Sequence, residues 1–319
     1  MPASRLRVLV VANMYPSAAR PAYGVFVRDQ VEALRASGEV EIDVFRWDAR
    51  RRPWRYAAAA LELRLTRVDA DVVHAHYGLS GLVTLAATGG RPLVLTVHGR
   101  DCHHPLVRPV TGFVGRRAAA VVAVSQDLAE RCPCRVTDVI PTGVALDRFQ
   151  PRPRAEARAD LGLDPDRRLL LFPADPGRPE KRFDRASALV EELTGMRSGA
   201  AIELRAVWGR PREEMPLWLN AADAVLVTSE REGYGLACVE ALACDTPVLT
   251  TPVGVAPTLV PGIAGCLCAP FDARHWAAHL DALLAQAEPR VDGRTAAETQ
   301  SLDETARLTL ALYRRVRSG

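Results

Sequence analysis

Lysine is almost missing from this sequence: of its 41 lysine and arginine residues, Lys181 is the only lysine. Arginine is therefore accepted at every other cationic position of the chain. The two residue types are not equivalent, because an ammonium is a compact point charge and a guanidinium is a planar fork. The single lysine is either a matter of chance or the mark of a site that needs an ammonium, and composition alone does not separate these interpretations.

Three further absences exclude broad classes of protein. No apolar run approaches the roughly 18 residues that span a bilayer, so the sequence predicts no transmembrane segment. The net charge of +3 is too small to argue for nucleic acid as a partner. The first apolar stretch, 6–12, is too short for the hydrophobic region of a signal peptide, so we interpret it as a strand and expect a cytoplasmic protein.

The seven cysteines are an odd number, and without a signal peptide they are expected to be free thiols. Two Cys-x-Cys pairs, 132–134 and 266–268, could supply four zinc ligands. Their spacing is tighter than in ordinary zinc sites, and they lie in opposite halves of the chain. A second candidate metal cluster, His98, His103 and His104, is more simply polar surface. We therefore expect no metal site and no cofactor.

The length of 319 residues suits two domains of roughly 150 residues each. Short apolar strands alternate with amphipathic helices in both halves of the sequence. Runs that are apolar throughout indicate strands buried on both faces of a parallel sheet. The predicted strands are 6–12, 41–45, 71–75, 93–97 and 119–124, then 168–172, 201–205, 224–228, 247–250 and 265–268. The pattern predicts two doubly wound, Rossmann-like domains that face a cleft at the carboxyl ends of their strands.

Helices are predicted near 25–36, 55–67, 79–88, 106–117 and 126–131, then near 181–195, 213–221, 236–244, 254–260 and 272–287. Residues 148–167 are rich in proline and charge, which predicts a linker. We place the first domain at 1–148 and the second at 149–300. The remaining residues, 301–319, are predicted to form a helix that packs back toward the first domain.

The stretch 228–254, TSEREGYGLACVEALACDTPVLTTPVG, is chemically the most informative. A strand ends, a glycine turn follows at 233–235, and a helix is predicted from Leu236. Free amides at a helix start, beside glycines that let a ligand approach the backbone, favour a diphosphate. Glu232 on the turn and Glu240 in the helix can face the same crevice, where carboxylates accept paired sugar hydroxyls. Either glutamate alone would more simply be a solvated side chain.

This stretch resembles the signature of retaining glycosyltransferases of family 4, which have the GT-B fold. The signature has two glutamates separated by seven residues, and it is matched in register by Ser229, Glu232, Gly233, Tyr234, Gly235, Leu236, Glu240, Ala241, Ala243, Cys244, Pro247 and Val248. The resemblance implies that Glu232 contacts the hydroxyls of the donor sugar and Glu240 the ribose of the nucleotide. It also implies that the backbone at Gly233, Tyr234, Gly235 and Leu236 holds the diphosphate and the sugar.

Other segments extend the resemblance over nearly the whole chain. NMYPSAARPAYGVFVRDQVEALRASG, 13–38, is similar to the family's opening strand, loop and helix, and is closest to the bacterial teichuronic-acid-type subgroup. The resemblance implies that Gly24 lies against the diphosphate, that His98 lies under the donor sugar, and that Asn13, Tyr15 and Asp101 bind the acceptor. Further matching segments are DVVHAHYG at 71–78, LTVHGRD at 95–101, VSQDL at 124–128 and IPTGVALDRFQP at 140–151.

The segment GRPEKRF, 177–183, corresponds to the family's phosphate-binding segment, and Lys181 matches its lysine. The arginine that the family carries upstream is absent near Asp175. Arg178, three residues before the lysine, resembles the form found in the teichuronic-acid-type subgroup and is the candidate replacement. The resemblance therefore implies that the solitary lysine of the composition holds phosphate.

The resemblance implies a mechanism in which helix amides, Lys181 and Arg178 stabilise the leaving diphosphate without a metal ion. The catalytic residues would be His98, Glu232 and Lys181. Same-face attack and a transient covalent intermediate both remain open as routes to retention. Two rival functions are a nucleotide-sugar 2-epimerase and a non-catalytic GT-B subunit; the signature argues against the first, and the intact site residues argue against the second.

The acceptor is less well defined. The first domain is short and has no obvious amphipathic apolar helix, which favours a small soluble acceptor such as an aminocyclitol. The subgroup resemblance favours the alternative, a cell-surface or lipid-linked glycan. Residues 50–56, RRRPWRY, are more simply a solvated basic face than a surface for weak contact with the inner face of the membrane. The donor base, the donor sugar and the oligomeric state are not defined by the sequence.

Overall fold

The computed structural model describes residues 5–18, 20, 23–49, 52–66, 69–196 and 201–318. The chain divides into two compact units: a first unit of Met1–Gly143 with Leu302–Gly319, and a second unit of Val144–Ser301. Each unit contains one parallel sheet with helices between its strands, which confirms the predicted α/β class. None of the described helices is long and apolar enough to cross a membrane.

The first unit has a six-stranded parallel sheet in the order β2-β1-β3-β4-β5-β6. Its strands are β1 (Leu6–Ala12), β2 (Val40–Arg46), β3 (Val72–His76), β4 (Leu93–Val97), β5 (Ala120–Ala123) and β6 (Asp138–Val139). Its helices are α1 (Val25–Ala36), α2 (Trp54–Leu65), α3 (Gly78–Ala87), α4 (Arg100–His103), α5 (Arg108–Gly115) and α6 (Gln126–Arg131). Every residue of β3, β4 and β5 is buried, as expected for strands covered on both faces.

The second unit has a five-stranded parallel sheet in the order β11-β10-β9-β7-β8. Its strands are β7 (Arg168–Phe172), β8 (Ile202–Ala206), β9 (Ala224–Val227), β10 (Val248–Thr250) and β11 (Leu267–Cys268). Its helices are α7 (Arg154–Leu161), α8 (Phe183–Met196), α9 (Met215–Ala221), α10 (Leu236–Ala243), α11 (Ala256–Leu259), α12 (Ala273–Leu284) and α13 (Arg294–Glu298), with short 3-10 turns at Pro179–Lys181 and Arg212–Glu214. The last helix of the chain, α14 (Leu302–Ser318), belongs to the first unit.

Both sheets have the same strand order. Numbered within each unit, the first five strands run 2-1-3-4-5. In such a sheet the strand order reverses between strands 1 and 3, and ligands bind at the carboxyl ends of the strands at this switch point. The switch points lie between β1 and β3 in the first unit and between β7 and β9 in the second.

The prediction of a linker over 148–167 was wrong, because this segment contains α7. The side chain of Arg158 in α7 is only 2% exposed and pairs with Asp223, which is fully buried, at 2.7 Å. Its guanidinium also donates to the backbone carbonyls of Pro165, Arg167 and Ala221. A charged sequence that appeared suited to solvent is therefore fixed to the second unit by a buried ion pair.

α14 packs on α1 and completes the core of the first unit. Ala306, Leu310 and Tyr313 of this helix are buried in one cluster with apolar residues of β1 and α1. The Tyr313 hydroxyl hydrogen-bonds to Nδ1 of His74, at 2.6 Å, inside the unit. The end of the chain is thus part of the first unit's core.

Candidate active site

Lys181 and Glu232 meet at the switch point of the second sheet. Lys181 follows β7 and Glu232 follows the neighbouring strand β9, so both lie where carboxyl ends of parallel strands converge. The Lys181 Nζ is 2.6 Å from Glu232 Oε1, and the side chains are only 16% and 14% exposed. Ser229 Oγ donates to the same carboxylate oxygen at 2.7 Å. The structure therefore brings these two predicted site residues into direct contact.

Hydrogen bonds to backbone carbonyls hold the two loops together. Thr228 Oγ1 donates to the carbonyls of Lys181, at 3.1 Å, and Arg182, at 2.8 Å. The amide of Glu230 donates to the carbonyl of Glu180 at 2.9 Å. Because these bonds join the loop after β7 to the loop after β9, the Lys181 ammonium is positioned by the fold as well as by its ion pair.

The turn before α10 is built around Gly235. This residue has a φ of 95°, which favours glycine, and a Cβ added there would meet no described atom within 4 Å. Its neighbour Tyr234 is buried, with its hydroxyl donating to Gln300 Oε1 at 3.0 Å. Gly254 packs so closely that an added Cβ would lie 2.3 Å from the Tyr234 carbonyl oxygen. The turn is thus anchored on one side and open at Gly235, where α10 presents its first amides.

Glu240 is buried in α10, at 4% exposure, and pairs with an arginine that the sequence analysis did not identify. Arg212, in the second 3-10 turn, places Nη2 2.5 Å from Glu240 Oε1. The guanidinium carbon of Arg212 also lies 5.4 Å from the centre of the Phe149 ring. The signal for such a partner was indirect: a carboxylate inside an apolar helix needs a nearby cation.

Arg178 differs from Lys181 in its surroundings. Its side chain is 56% exposed, and its Nη2 lies 2.5 Å from Glu180 Oε1. Its Nε donates to the same oxygen at 3.0 Å. The Arg178 charge is therefore matched by a local carboxylate on the surface, and its phosphate-binding role remains a prediction.

His98 follows β4 in the first unit and belongs to a row of histidines. Its Nε2 is 3.0 Å from Nδ1 of His76, and the two rings are stacked with centres 5.2 Å apart. The centre of the Phe26 ring lies 4.8 Å from the centre of the His98 ring. Burial lowers the pKa of His98 to about 3, so its imidazole is neutral at neutral pH.

Asp101 is buried directly behind His98. Its carboxylate accepts hydrogen bonds from the amides of His98, at 3.0 Å, and Gly99, at 2.8 Å. Burial raises the pKa of Asp101 to about 7 in spite of these bonds. The contacts show how Asp101 shapes the His98 loop, and its acceptor-binding role remains a prediction.

Asn13 and Tyr15 lie in the loop after β1. Asn13 Nδ2 donates to the Tyr56 hydroxyl at 2.7 Å, and Asn13 Oδ1 accepts from Ser80 Oγ at 3.3 Å. The Arg46 guanidinium lies over the Tyr15 ring, 5.2 Å from its centre. Asn13 therefore joins this loop to α2 and α3 across the first unit's switch point.

Gly24 is required by packing within the first unit. It has a φ of 73°, and an added Cβ would lie 2.4 Å from the carbonyl carbon of Met14. Since this close approach alone excludes a side chain, the glycine has a structural reason to be present. The contact of Gly24 with a diphosphate remains a prediction.

Metal ligands are not grouped in the described residues: no three His, Cys, Asp or Glu side chains are arranged to hold an ion. The Cys132 and Cys134 pair belongs to the first unit, and the Cys266 and Cys268 pair to the second.

α2 exposes large apolar side chains that the sequence pattern did not reveal. Trp54, Leu61 and Leu65 are 63%, 59% and 79% exposed, and their spacing places them along one side of the helix. The Arg55 guanidinium lies 5.9 Å from the centre of the Trp54 ring. Of the basic run 50–56, Arg50 and Arg51 lie outside the described residues.

Two family models match the chain: Glycosyltransferase Family 4 over residues 1–148 and Glycosyl transferases group 1 over 198–300. A D-inositol 3-phosphate glycosyltransferase of Mycobacterium marinum is 32% identical, over 95% of this chain and 75% of that protein. The chain also matches relatives of this name from Thermobispora bispora, over 62% of that protein's length, and from Mycobacterium ulcerans, over 76%.

Solved structures agree in fold. Sucrose-phosphate synthase from Thermosynechococcus elongatus has a TM-score of 0.79 at 20% identity, over 98% of this chain and 100% of that chain. Anabaena HepE, in complex with UDP and glucose, has a TM-score of 0.71 at 17% identity, over the same shares of the two chains.

The architecture is thus the two-domain GT-B fold of glycosyltransferases, as predicted. The chain belongs to glycosyltransferase family 4. The assignment to the teichuronic-acid-type subgroup remains a prediction.

Proposed function

We propose that this glycosyltransferase takes its sugar from a nucleoside diphosphate donor, with retention of anomeric configuration and without a metal ion. The observation that carries the proposal is the contact between Lys181 and Glu232 at the switch point, beside the turn that leads into α10. A cation, a carboxylate and the first amides of a helix are the groups that a diphosphate and an adjoining sugar need.

Donor binding would change the partner of Lys181. In this structure the ammonium is matched by Glu232. An entering diphosphate would compete for the ammonium, and the carboxylate would then accept hydrogen bonds from the sugar hydroxyls. As the bond between sugar and phosphate breaks, negative charge grows on the leaving oxygen, where Lys181 and the amides of Gly235 and Leu236 would stabilise it.

The nucleotide ribose is proposed to bind Glu240. A carboxylate can accept from both ribose hydroxyls, and Arg212 holds this carboxylate in place inside the helix. In the first unit, the neutral His98 ring is proposed to position the donor sugar, and Asn13 and Tyr15 to bind the acceptor. These assignments rest on the family resemblance.

The first donor to test is a UDP-sugar, because HepE was solved with UDP and glucose. For the acceptor we propose a small soluble cyclitol or cyclitol phosphate, supported by the name of the D-inositol 3-phosphate relatives. A second candidate is an acceptor at a membrane surface, favoured by the exposed Trp54, Leu61 and Leu65 beside Arg55. Sedimentation with anionic liposomes should carry the protein down only for the second candidate.

The proposal is tested in two steps with the full chain in excess EDTA. UDP, GDP and ADP are first compared in a thermal-shift assay, where a bound nucleotide at about 100 times its Kd adds about 2.7 kcal/mol of stability. The matching glucose donor is then incubated with inositol and inositol phosphates, and the product is examined by NMR. We expect the α configuration of the donor to be kept. Inverted product, or activity that appears only when magnesium or manganese is added, would refute the corresponding part of the proposal.

A further inference from the structure

Three cysteines lie together in the first unit. Cys102 is in α4, and Cys132 and Cys134 follow α6. The sulfurs of Cys132 and Cys134 are 3.5 Å apart, and the Cys102 thiol is close enough to Cys132 to influence its ionisation. Cys134 packs against Gly115 at the end of α5, where an added Cβ would lie 2.2 Å from its sulfur. The cluster thus joins the ends of three helices, and all three thiols are free.

Cys132 is the central sulfur of the cluster. Hydrogen bonds from Cys102 and then from Cys134 lower the pKa of Cys132, and the positive charge of Arg108 acts in the same direction. The bond to Cys132 raises the pKa of Cys102 and of Cys134. These neighbours favour the thiolate form at Cys132, and a thiolate is the reactive form of cysteine.

Access differs among the three thiols. Cys102 is only 2% exposed, whereas Cys132 and Cys134 are both partly exposed. A small reagent can therefore reach Cys132 and Cys134. Cys102 is too buried to be reached and can only influence Cys132. The sulfurs of the accessible pair need to approach by about 1.5 Å to reach the bonded distance of about 2 Å.

We propose that Cys132 and Cys134 form a reversible disulfide by exchange with a low-molecular-weight disulfide, with Cys132 as the attacking sulfur and Cys102 as its supporting thiol. The Cys132 thiolate attacks one sulfur of the reagent, forms a mixed disulfide and releases one small thiolate. Cys134 then loses its proton and attacks the Cys132 sulfur, releasing the second small thiolate. Two protein thiols are oxidised to one disulfide, and the reagent is reduced to two thiols.

The second Cys-x-Cys pair is a control within the same chain. Burial raises the pKa of Cys266 to about 11 and also raises the pKa of Cys268. Cys266 accepts a hydrogen bond from the amide of Val248 at 3.4 Å. The buried Cys238 lies near enough to both sulfurs of this pair for their charges to act on it. This pair has the same spacing in sequence, so it separates the effect of the cluster from that of mere proximity along the chain.

The test uses the full chain, reduced, desalted and incubated with oxidised glutathione, then blocked with N-ethylmaleimide and digested with trypsin. Cleavage after Arg131 and Arg135 releases the peptide CPCR, 132–135, which holds both accessible thiols. We expect this peptide to escape alkylation and to be lighter than its reduced form by two hydrogen atoms, while Cys266 and Cys268 are alkylated. Treatment with dithiothreitol should restore alkylation of CPCR.

Several outcomes would overturn the proposal. A bond from Cys132 to Cys102 would link CPCR to the peptide 101–116, and a stable mixed disulfide would leave glutathione on CPCR. Equal oxidation of both Cys-x-Cys pairs would show that the cluster has no special role. Cys102→Ala should slow formation of the disulfide by roughly threefold or more, since the neighbouring thiol that favours the Cys132 thiolate is lost. An unchanged rate in the folded variant would remove Cys102 from the mechanism.

Discussion

Lys181→Arg tests whether the site needs an ammonium or only a positive charge. The structure makes the substitution informative, because Lys181 is 16% exposed and pairs with Glu232 at 2.6 Å. An arginine can keep this ion pair, so the fold should survive. Its guanidinium is wider and planar, however, and should not reach the leaving phosphate from the same backbone position.

The free energy of unfolding and kcat together show whether the site needs an ammonium or only a positive charge. Hydrogen bonds to charged groups contribute about 1.5–3 kcal/mol, so Lys181→Met, which removes the ion pair, should lower the free energy of unfolding by about that amount. Lys181→Arg should lower it by less than about 1 kcal/mol, since a charged partner for Glu232 remains. If the ammonium stabilises the leaving phosphate, Lys181→Arg should nevertheless reduce kcat at least about tenfold, or about 1.4 kcal/mol of transition-state stabilisation. Donor KM should change less, because this interaction strengthens as the phosphate departs.

Steady-state kinetics with the donor found by the nucleotide screen, together with urea unfolding, measure both quantities. Arg182→Lys is the matched control: it makes the opposite exchange at the next residue, whose guanidinium pairs with Asp184 on the surface. We expect wild-type kcat for this control. Wild-type kcat for Lys181→Arg as well would mean that any cation suffices and that the single lysine is an accident of composition.

Three further predictions concern the other site residues. Glu240→Ala should weaken nucleoside diphosphate binding by about 1–3 kcal/mol in calorimetry, whereas Glu232→Ala should spare nucleotide affinity and lower turnover; equal affinity losses would refute this division of roles. Arg212→Met should lower the free energy of unfolding by about 3 kcal/mol, since a buried carboxylate loses its ion-pair partner, and the double variant with Glu240→Gln should recover part of this loss. His74→Gln should make stability less dependent on pH: burial lowers the pKa of His74 from 6.5 to about 3, so the unfolded chain binds more protons in that window, and stability is lost as pH falls through it. Urea unfolding at pH 6 and pH 4.5 gives the change of the free energy of unfolding with pH. For the variant this change should be smaller by up to about 1.4 kcal/mol per pH unit, and an unchanged value would contradict the lowered pKa of His74.

The sheets and most helices follow from local pattern. β1, β4, β7, α1 and α6 have the predicted bounds, because their apolar runs and helical periods are long enough to be read without tertiary information. β6 and α13 were not predicted, since two and five residues carry too little pattern. The predicted helix over 106–117 is the eight-residue α5, preceded by the separate α4, which its own sequence did not indicate.

The site was predictable in its motif but not in its contacts. Glu232, Glu240 and Lys181 stand in segments with a recognisable pattern. Nothing in sequence spacing relates Arg212 to Glu240 or joins Lys181 to Glu232, because these pairs form only when separate strands and turns of one sheet come together. α7 shows the same limit, since composition cannot separate a buried arginine from a solvated one.

The shared strand order of the two units allows their switch points to be compared. At the second unit's edge the side chains are charged: Lys181 faces Glu232, and the nearby α10 carries Glu240 with its arginine. At the first unit's edge several side chains are uncharged: Asn13 is bonded to Ser80 and Tyr56, and burial lowers the pKa values of His76 and His98, behind which the Asp101 carboxylate lies. A diphosphate needs fixed positive charge, and sugar or cyclitol hydroxyls need neutral donors and acceptors. The two units thus carry different side chains on the same strand order, and this difference supports the proposed binding of the diphosphate at the second unit's edge and of the acceptor hydroxyls at the first.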